Sequence, residues 1–195
     1  SMLLPGMEIT MDTKRVYPKS TVAAQVIGYI GAIPSASTWA TYQAKGYAYN
    51  DKIGRDGLEY SMEDWLTQNS STRKGYRIVE RDQQSRIVRE LSYTEPTDGN
   101  SVRLTLSYAA QVQAERAIAN NVTQTRIAQE KKMVSSVWLE DNKEDIATRN
   151  WEKYPLKLAE HGVLVVLDMQ DRVLALANYP TYDLNALVSG GKEAI

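Results

Sequence analysis

Hydrophobic side chains recur with two different periods along the chain, and these periods predict its helices and strands. Residues 55–68 place four apolar side chains on one helical face, which predicts a helix; they are Leu58, Met62, Trp65 and Leu66. The β-branched segments 76–82 and 86–93 follow a polar turn, and the short polar stretch between them predicts a β-hairpin. Alternating apolar residues in 101–107 predict a further half-buried strand.

The second half of the chain begins with a helical pattern at Tyr108, which predicts a long helix. The charged stretch 140–155 predicts a broken helix. Residues 162–180 then predict two consecutive strands with a tight turn at Met169–Asp171. The first of these strands is apolar on both faces, so we expect it to lie in a sheet that is covered on both sides. The outer edges of the pair are expected to be unpaired, or matched by another molecule.

The N-terminal third combines shorter elements. Residues 7–18 predict an extended arm, and 21–31 predict a buried strand or a short strand-turn. Residues 35–46 begin with serine and threonine capping candidates and end in glycine, so they predict a short helix. The whole pattern predicts an α+β fold with an elongated mixed domain over 1–100. A second piece over 101–195 carries the long helix and the antiparallel strand pair.

The composition is that of an ordinary globular protein, and it excludes several kinds of site. The 195 residues are 43% hydrophobic and 24% charged, with a net charge of −1. No nucleic-acid partner is expected from this charge balance. The chain contains no cysteine, which excludes disulfides, thiolate metal sites and a cysteine nucleophile. Its longest strongly apolar run is shorter than the roughly 20 residues that span a bilayer. Ser1-Met2 suggests a sequence excised from a longer gene product.

Two Ser-x-x-Lys sequences raise the possibility of a serine acyl-transfer enzyme. Ser71 and Lys74 would share a face if this sequence opened a helix, but it follows the end of a predicted helix and precedes Gly75 and a strand. A surface turn is therefore the better interpretation. The second sequence, Ser189 to Lys192, contains two glycines that disfavour a helix. A Lys-Thr-Gly sequence, which would complete such a site, is absent from the chain.

Other polar residues give no stronger indication of chemistry. His161 is the only histidine, and its place before a glycine and an apolar strand favours a loop or packing role over that of a triad base. Acidic residues within 141–145 lack the glycine of an EF-hand loop, so a solvated face is the better interpretation. We therefore predict no catalytic residue, no metal site and no cofactor for this chain.

A set of short motifs in a fixed order is more informative. Arg-x-Tyr-Pro at 15–18 precedes Ala-Ala-x-x-Ile-Gly-Tyr-Ile-Gly at 23–31, and Ile-Gly-x-x-Gly-Leu-Glu-x-x-x-Glu-Asp-x-Leu follows at 53–66. Val-Val-Leu-Asp at 165–168 then leads to Leu-Ala-Leu-Ala-Asn-Tyr-Pro-Thr-Tyr-Asp-Leu-Asn at 174–185. This order resembles the non-catalytic region of class B penicillin-binding proteins, followed by the first elements of their transpeptidase domain.

The resemblance covers about residues 15–121 and 162–188, and the sequence departs from the family pattern in several places. Gln170-Asp171-Arg172 occupies a turn that usually carries Thr-Gly in the family. Leu184 stands where the family usually has a proline. The segment 122–161 is longer than the family leads us to expect, and the resemblance gives it no role.

The resemblance implies a structural role for the two predicted domains. Residues 1–100 would be the dimerisation or pedestal domain, and 101–195 would be the N-terminal part of the transpeptidase domain. The structural motif of the pedestal would comprise Arg15, Pro18, Gly54, Gly57, Leu58 and Glu59. A carboxylate near the start of a helix is favoured by the helix dipole, and we expect Glu59 to pair with Arg15 or a neighbouring basic residue.

The parent protein that the resemblance implies is a peptidoglycan D,D-transpeptidase, held at the extracytoplasmic face of the cell membrane by an anchor outside this chain. It would cross-link peptidoglycan stem peptides and bind β-lactams through a serine beyond residue 195. The chain itself would be non-catalytic and would dock cell-division or elongation proteins, with a homodimer as a further possible assembly. Two alternatives stay open: an extracytoplasmic adaptor module without enzymatic activity, and an independent Ser/Lys hydrolase that uses Ser71.

Overall fold

A computed structural model describes residues 14–150 and 157–189. The described residues fall into two compact units, and the chain passes between them more than once. The first unit consists of residues 14–18, 27–103 and 184–189. The second unit consists of residues 19–26, 104–150 and 157–183.

The described residues contain eight helices and six strands. In chain order, these are α1 (Ala24–Ile27), β1 (Ile30–Ala32), α2 (Ala36–Gln43), β2 (Lys52–Gly54), α3 (Gly57–Ser61), α4 (Glu63–Leu66), β3 (Tyr76–Arg81), β4 (Ile87–Thr94), α5 (Tyr108–Met133), α6 (Ser136–Asp141), α7 (Lys143–Thr148), β5 (Gly162–Leu167), β6 (Val173–Tyr179) and α8 (Leu184–Val188).

Short elements of the first unit surround a small aromatic core. β1 and β2 pair in antiparallel fashion, and the predicted helix over 55–68 is present as α3 and α4, which are separated by Met62. The Ser35 hydroxyl caps α2 by accepting the N–H of Thr38, as the capping pattern predicts. The core consists of Ile33, Tyr47 and Ile53, with Trp39 and Tyr42 packed against them.

Both predicted hairpins are present, and the same loop sequence, Asp-x-Gln-x-Arg, closes each of them. The Asp82 carboxylate of the β3–β4 loop accepts the N–H groups of the residues two and four positions later, both at 2.9 Å. Asp168 of the β5–β6 loop makes the same two contacts at 2.9 Å. Each loop also places one residue in the left-handed region, Ser85 with φ 62° and Asp171 with φ 59°. An aspartate at the first position therefore stabilises both turns by satisfying local N–H groups.

The second unit is built from α5 packed on the β5–β6 hairpin. The buried residues at this contact are small, which lets the helix approach the sheet closely. They are Ala114, Ala175 and Ala177, with Ala110, Ile118, Leu164 and Val166 packed around them. The expectation of a sheet covered on both sides is wrong for this chain. Because side chains alternate along a strand, α5 covers one face of β5, and the other face leaves Val163, Val165 and Leu167 between 52% and 66% exposed.

The outer edge of β6 carries partners, which corrects the expectation that this edge is unpaired. The Gln111 carboxamide accepts the N–H of Leu176 at 2.8 Å and donates to its carbonyl at 2.9 Å. The backbone N–H of Ser107 donates to the carbonyl of Leu174 at 2.9 Å. A glutamine side chain from α5 and an irregular segment thus satisfy edge groups without a third strand.

The prediction of a strand or a short strand-turn over 21–31 is confirmed only in part, and the prediction of a strand over 101–107 is wrong. Residues 21–31 form the short helix α1 and the three-residue strand β1, and Gly28, with φ 72°, ends the helix in the left-handed conformation that favours glycine. Residues 101–107 form no strand. The Thr105 hydroxyl donates to the Val173 carbonyl at 2.6 Å, so a side chain occupies an acceptor that a ladder N–H would otherwise use.

The charged segment after α5 is a broken helix, as its pattern predicts: α6 and α7 are separated by Asn142. The last residues of this predicted segment, 151–155, lie outside the described residues. Within the described part of the chain, no helix combines the length and apolar composition needed to cross a membrane.

Candidate functional site

A buried carboxylate, Glu59, joins the N-terminal arm (residues 14–18) to α3. Glu59 is 6% exposed. Its Oε2 accepts a hydrogen bond from Arg15 Nη2 at 2.9 Å, and its Oε1 accepts one from the Tyr17 hydroxyl at 3.2 Å. The predicted pairing of Arg15 with Glu59 is therefore present. Because two donors from the arm meet one carboxylate, the arm is fixed in both position and direction.

Two glycines allow the backbone to bring this carboxylate into place. A Cβ atom on Gly54 would lie 1.9 Å from the backbone oxygen of Glu59, so β2 passes α3 at a distance that excludes a side chain. Gly57 has φ 57°, a conformation that glycine adopts without strain. The Asp56 carboxylate accepts the Gly57 N–H at 2.9 Å and opens α3. Both glycines of the predicted motif thus occupy positions that their lack of a side chain explains.

The other two residues of the predicted motif take a smaller part in the site. Leu58 is partly buried, and its carbonyl accepts the N–H of Met62 within the α3 turn. Pro18 is exposed and lies in the turn that follows Tyr17. Its ring fixes the backbone where the arm ends.

A second buried carboxylate, Glu63, lies four residues further along the chain. Glu63 is 8% exposed. It accepts the Tyr47 hydroxyl at 2.6 Å and the backbone N–H of Gly54 at 2.7 Å. Glu63 is not among the residues predicted for the motif, although its four-residue spacing from Glu59 is the available signal for a shared face. The two carboxylates together connect α3 and α4 to the arm, to β2 and to the aromatic core.

Two buried tyrosines supply the hydroxyl groups that these carboxylates bind. Burial raises the pKa of Tyr17 well above its ordinary value, and the negative charge of Glu59 raises it further. Burial likewise raises the pKa of Tyr47, with a further contribution from its hydrogen bond to Glu63. Both phenols therefore stay protonated and act as donors to the carboxylates. The Tyr17 hydroxyl also accepts the N–H of Ile30 at 3.2 Å and so reaches β1.

Asn185, on α8, completes the site by binding the backbone of Tyr17. Its Oδ1 accepts the Tyr17 N–H at 3.0 Å, and its Nδ2 donates to the Tyr17 carbonyl at 2.8 Å. The preceding residue, Leu184, is fully buried. Leu184 is one of the positions at which the sequence departs from the family pattern, and no role was predicted for Asn185. No spacing rule could have related Asn185 to Tyr17, because the two residues lie 168 positions apart.

A polar cavity of about 750 Å³ lies beside the two carboxylates and is lined by residues that include Lys14, Asn50, Lys52 and Gln68. Among the described residues, no buried side-chain nitrogen or oxygen atom lacks a hydrogen-bond partner. The described residues also contain no cluster of histidine, cysteine, aspartate or glutamate side chains suited to a metal ion. The contacts that the two carboxylates make hold backbone segments together.

Ser71 and Lys74 do not form a nucleophile and base. Ser71 lies in a turn, where its N–H donates to the Lys45 carbonyl at 2.9 Å. Lys74 Nζ is held by the Asp51 carboxylate at 2.6 Å. The prediction of a surface turn is confirmed.

The two other candidates for chemistry are also accounted for where the structure describes them. The Ser189 hydroxyl donates to the Asn185 carbonyl at 2.6 Å at the end of α8, whereas Lys192 lies outside the described residues. His161 is exposed immediately before β5.

Comparisons with known proteins give this architecture a family. The family described as penicillin-binding protein dimerisation domain matches residues 1–104. The peptidoglycan D,D-transpeptidase MrdA of Acinetobacter baumannii is 37% identical over 115 residues, which are 59% of this chain and 16% of the relative. The peptidoglycan D,D-transpeptidase FtsI of Escherichia coli K12 is 25% identical over 193 residues, 98% of this chain and 24% of the relative.

A solved structure shares the fold. The complex between the penicillin-binding protein PBP2 and MreC from Helicobacter pylori contains a chain that matches 91% of this one, with a TM-score of 0.54 and 19% sequence identity. The match covers 25% of that chain. This chain therefore spans about a quarter or less of the length of these relatives. Together, the domain match and the relatives show that the chain belongs to the class B penicillin-binding proteins, of which it represents the N-terminal region.

Proposed function

We propose that this chain is the non-catalytic pedestal of a peptidoglycan D,D-transpeptidase at the extracytoplasmic face of the membrane. In the parent protein it holds the catalytic domain away from the membrane and docks proteins of cell elongation or division. The observation that carries the proposal is the pair of buried glutamates, Glu59 and Glu63, whose oxygens accept hydrogen bonds from the arm, the aromatic core and a β2 backbone group in the described chain. Contacts of this kind order a scaffold.

The penicillin-reactive serine belongs to a part of the parent beyond residue 195. The ion pair of Lys74 with Asp51 supports this proposal, because it engages the lysine of the Ser71 sequence with another residue at 2.6 Å. The stem-peptide substrate and the β-lactams are thus ligands of the parent.

Labelling with a fluorescent penicillin tests this part of the proposal. The chain should stay unlabelled, and the full-length gene product should be labelled. Labelling of the chain that disappears in Ser71→Ala would establish the independent hydrolase instead. A full-length gene product without a further Ser-x-x-Lys would favour the adaptor module.

The β3–β4 hairpin is the surface that best fits a docking partner. A two-stranded hairpin alone is marginally stable in water. This one nevertheless exposes many apolar side chains, each at 50% or more: Tyr76, Ile78, Val88, Leu91 and Tyr93. Its arginines pair with acidic side chains within the hairpin, Arg77 with Glu90, Arg86 with Asp82, and Arg89 with Glu80, and Arg81 donates to the Ser85 carbonyl at 2.8 Å. A partner with an apolar surface could therefore bind without leaving a buried charge unpaired. The Helicobacter pylori relative was solved in complex with MreC, so we propose an MreC-like elongation protein as the occupant.

A matched pair of variants tests the docking surface. Val88, on β4, is 64% exposed, and Val137, on α6, is 70% exposed. We expect Val88→Lys to weaken binding of the purified MreC homologue from the same genome at least tenfold, because a lysine would have to be desolvated at the contact. Val137→Lys should leave the affinity unchanged. The hairpin is excluded as the docking surface if both variants weaken binding equally or if neither weakens it. If the unmodified chain does not bind the MreC homologue, this partner is excluded.

A further inference from the structure

The carboxamide of Asn185 binds both backbone groups of one residue of the N-terminal arm, Tyr17. The side chain accepts the Tyr17 N–H and donates to the Tyr17 carbonyl, at 3.0 and 2.8 Å. These two bonds replace the ladder contacts that a neighbouring strand would make to Tyr17. Tyr17 itself is buried, so its backbone groups depend on this side chain for partners.

The same tyrosine carries the contact onward to two other elements. Its hydroxyl donates to Glu59 on α3 and accepts the N–H of Ile30 on β1. A continuous set of hydrogen bonds therefore runs from α8 through Tyr17 to α3 and β1. Every member of this set lies within the first unit.

The contact between Asn185 and Tyr17 joins two segments that lie far apart in the sequence. The match to the dimerisation domain ends at residue 104, but α8 comes 80 positions later, directly after the strand pair of the second unit. The arm of the pedestal thus takes its backbone partners from a segment beyond the pedestal's own domain boundary.

We propose that Asn185 is a latch that joins α8 to the N-terminal arm, so that the arm, α3 and α8 open and close as one cooperative element. Displacing α8 releases Tyr17, and displacing the arm releases α8. This reciprocity is required thermodynamically, because one set of contacts links the two segments. The inference stands apart from the proposed docking partner and from the activity of the parent.

Amide hydrogen exchange in the full 195-residue chain tests the latch directly. Asn185→Ala should reduce the protection of the Tyr17 amide about tenfold, since it removes two hydrogen bonds. The control Asn120→Ala, at an exposed position of α5, should leave Tyr17 unchanged. Arg15→Ala, which removes the ion pair of the arm with Glu59 and changes no residue of α8, should reduce the protection of the Ser189 amide, which donates to the Asn185 carbonyl within α8. Unchanged protection at Tyr17 in Asn185→Ala, or at Ser189 in Arg15→Ala, would overturn the latch.

A second variant tests whether Asn185 acts through its two hydrogen bonds or only through the packing of its side chain. Asn185→Asp keeps the shape of the side chain, but an ionised carboxylate has no proton to donate to the Tyr17 carbonyl. We expect protection of Tyr17 relative to the unmodified chain to be low at pH 7 and to recover near pH 4, where an aspartate regains its proton. Measuring the unmodified chain at both pH values controls for effects of pH that do not involve residue 185. A relative protection that does not depend on pH would show that Asn185 acts through its volume alone.

Exchange in the unmodified chain keeps the proposal testable if Asn185→Ala fails to fold. At increasing sub-denaturing urea, the amides of Tyr17 and Ser189 should share one opening free energy and one urea dependence, as members of a cooperative unit do. Different urea dependences for these two amides would overturn the proposal.

Discussion

Replacing Glu59 by alanine removes an acceptor that two groups of the arm share. The hydroxyl of Tyr17 is buried, and a hydrogen bond to a charged acceptor contributes about 1.5–3 kcal/mol. The Arg15 side chain is 40% exposed, so solvent screens its ion pair, which contributes about 0.5 kcal/mol. We therefore expect Glu59→Ala to lower the free energy of unfolding of the first unit by about 2–3 kcal/mol. Glu59→Gln, which keeps an oxygen acceptor for Tyr17, should cost about 1 kcal/mol.

Urea denaturation followed by amide exchange measures this loss for each unit separately, which matters because two units need not unfold together. The matched control is Glu90→Gln in the hairpin. Glu90 also pairs with an arginine, Arg77, at 2.7 Å, but these side chains are 46% and 49% exposed. Because solvent screens an exposed pair, this variant should change the free energy of unfolding by less than about 0.5 kcal/mol.

Burial is the property that distinguishes Glu59 from Glu90, since Glu59 is 6% exposed and the Glu90 side chain is 46% exposed. If Glu59→Ala lost less than about 1 kcal/mol, the hydrogen bond to Tyr17 would contribute no more than an exposed contact. An equal loss in Glu90→Gln would have the same meaning. Either result would refute the assignment of Glu59 as the group that fixes the arm.

Three further changes test other parts of the structure. Gly54→Ala should destabilise the first unit by more than about 2 kcal/mol in urea denaturation, because its Cβ would lie 1.9 Å from a backbone oxygen; Gly31→Ala should be tolerated, because its Cβ would meet a flexible arginine side chain at 3.1 Å. Ser85→Gly should increase amide protection in the β3–β4 hairpin by an amount equivalent to about 0.5–1 kcal/mol, since φ is 62° at this position. Hydrogen bonds from the Arg172 backbone and side chain lower the pKa of Asp168 below its ordinary value of 3.8. The stabilisation from Asp168 is therefore present above pH 3.8 and is lost as the pH falls through its lower folded pKa. An NMR titration of the carboxyl should show that lower pKa, and Asp168→Asn should remove this part of the pH dependence of the β5–β6 loop.

Local signals in the sequence were sufficient for the elements that depend on neighbouring residues. The hairpins β3–β4 and β5–β6 follow from β-branched segments separated by polar turns, and their aspartate loops are stabilised by contacts within five residues. The helical period likewise predicted α5 and the broken helix after it. These elements could be predicted because the groups that stabilise them are adjacent in the chain.

Patterns failed where a local sequence allows more than one partner. Residues 101–107 alternate like a strand, yet they bind the edge of β6 through the Thr105 hydroxyl and the backbone N–H of Ser107. The apolar character of β5 on both faces suggested two covering layers, although only its inner face packs on α5 in the described chain. Alternation records which side chains are apolar, but it does not identify the groups that meet them.

The sequence motifs also predicted one long-range contact, of Glu59 with Arg15 or a neighbouring basic residue, because opposite charges in two motifs are expected to pair, and the structure shows that Arg15 is the partner. The other partners were decided by tertiary structure. Glu63 and Tyr47 are drawn together around Gly54, and Asn185 reaches Tyr17 across 168 positions. Side-chain amides, phenols and backbone groups are uncharged, so the sequence does not indicate which groups they will bind. Their pairing follows only when folding buries them and makes an unsatisfied polar group costly.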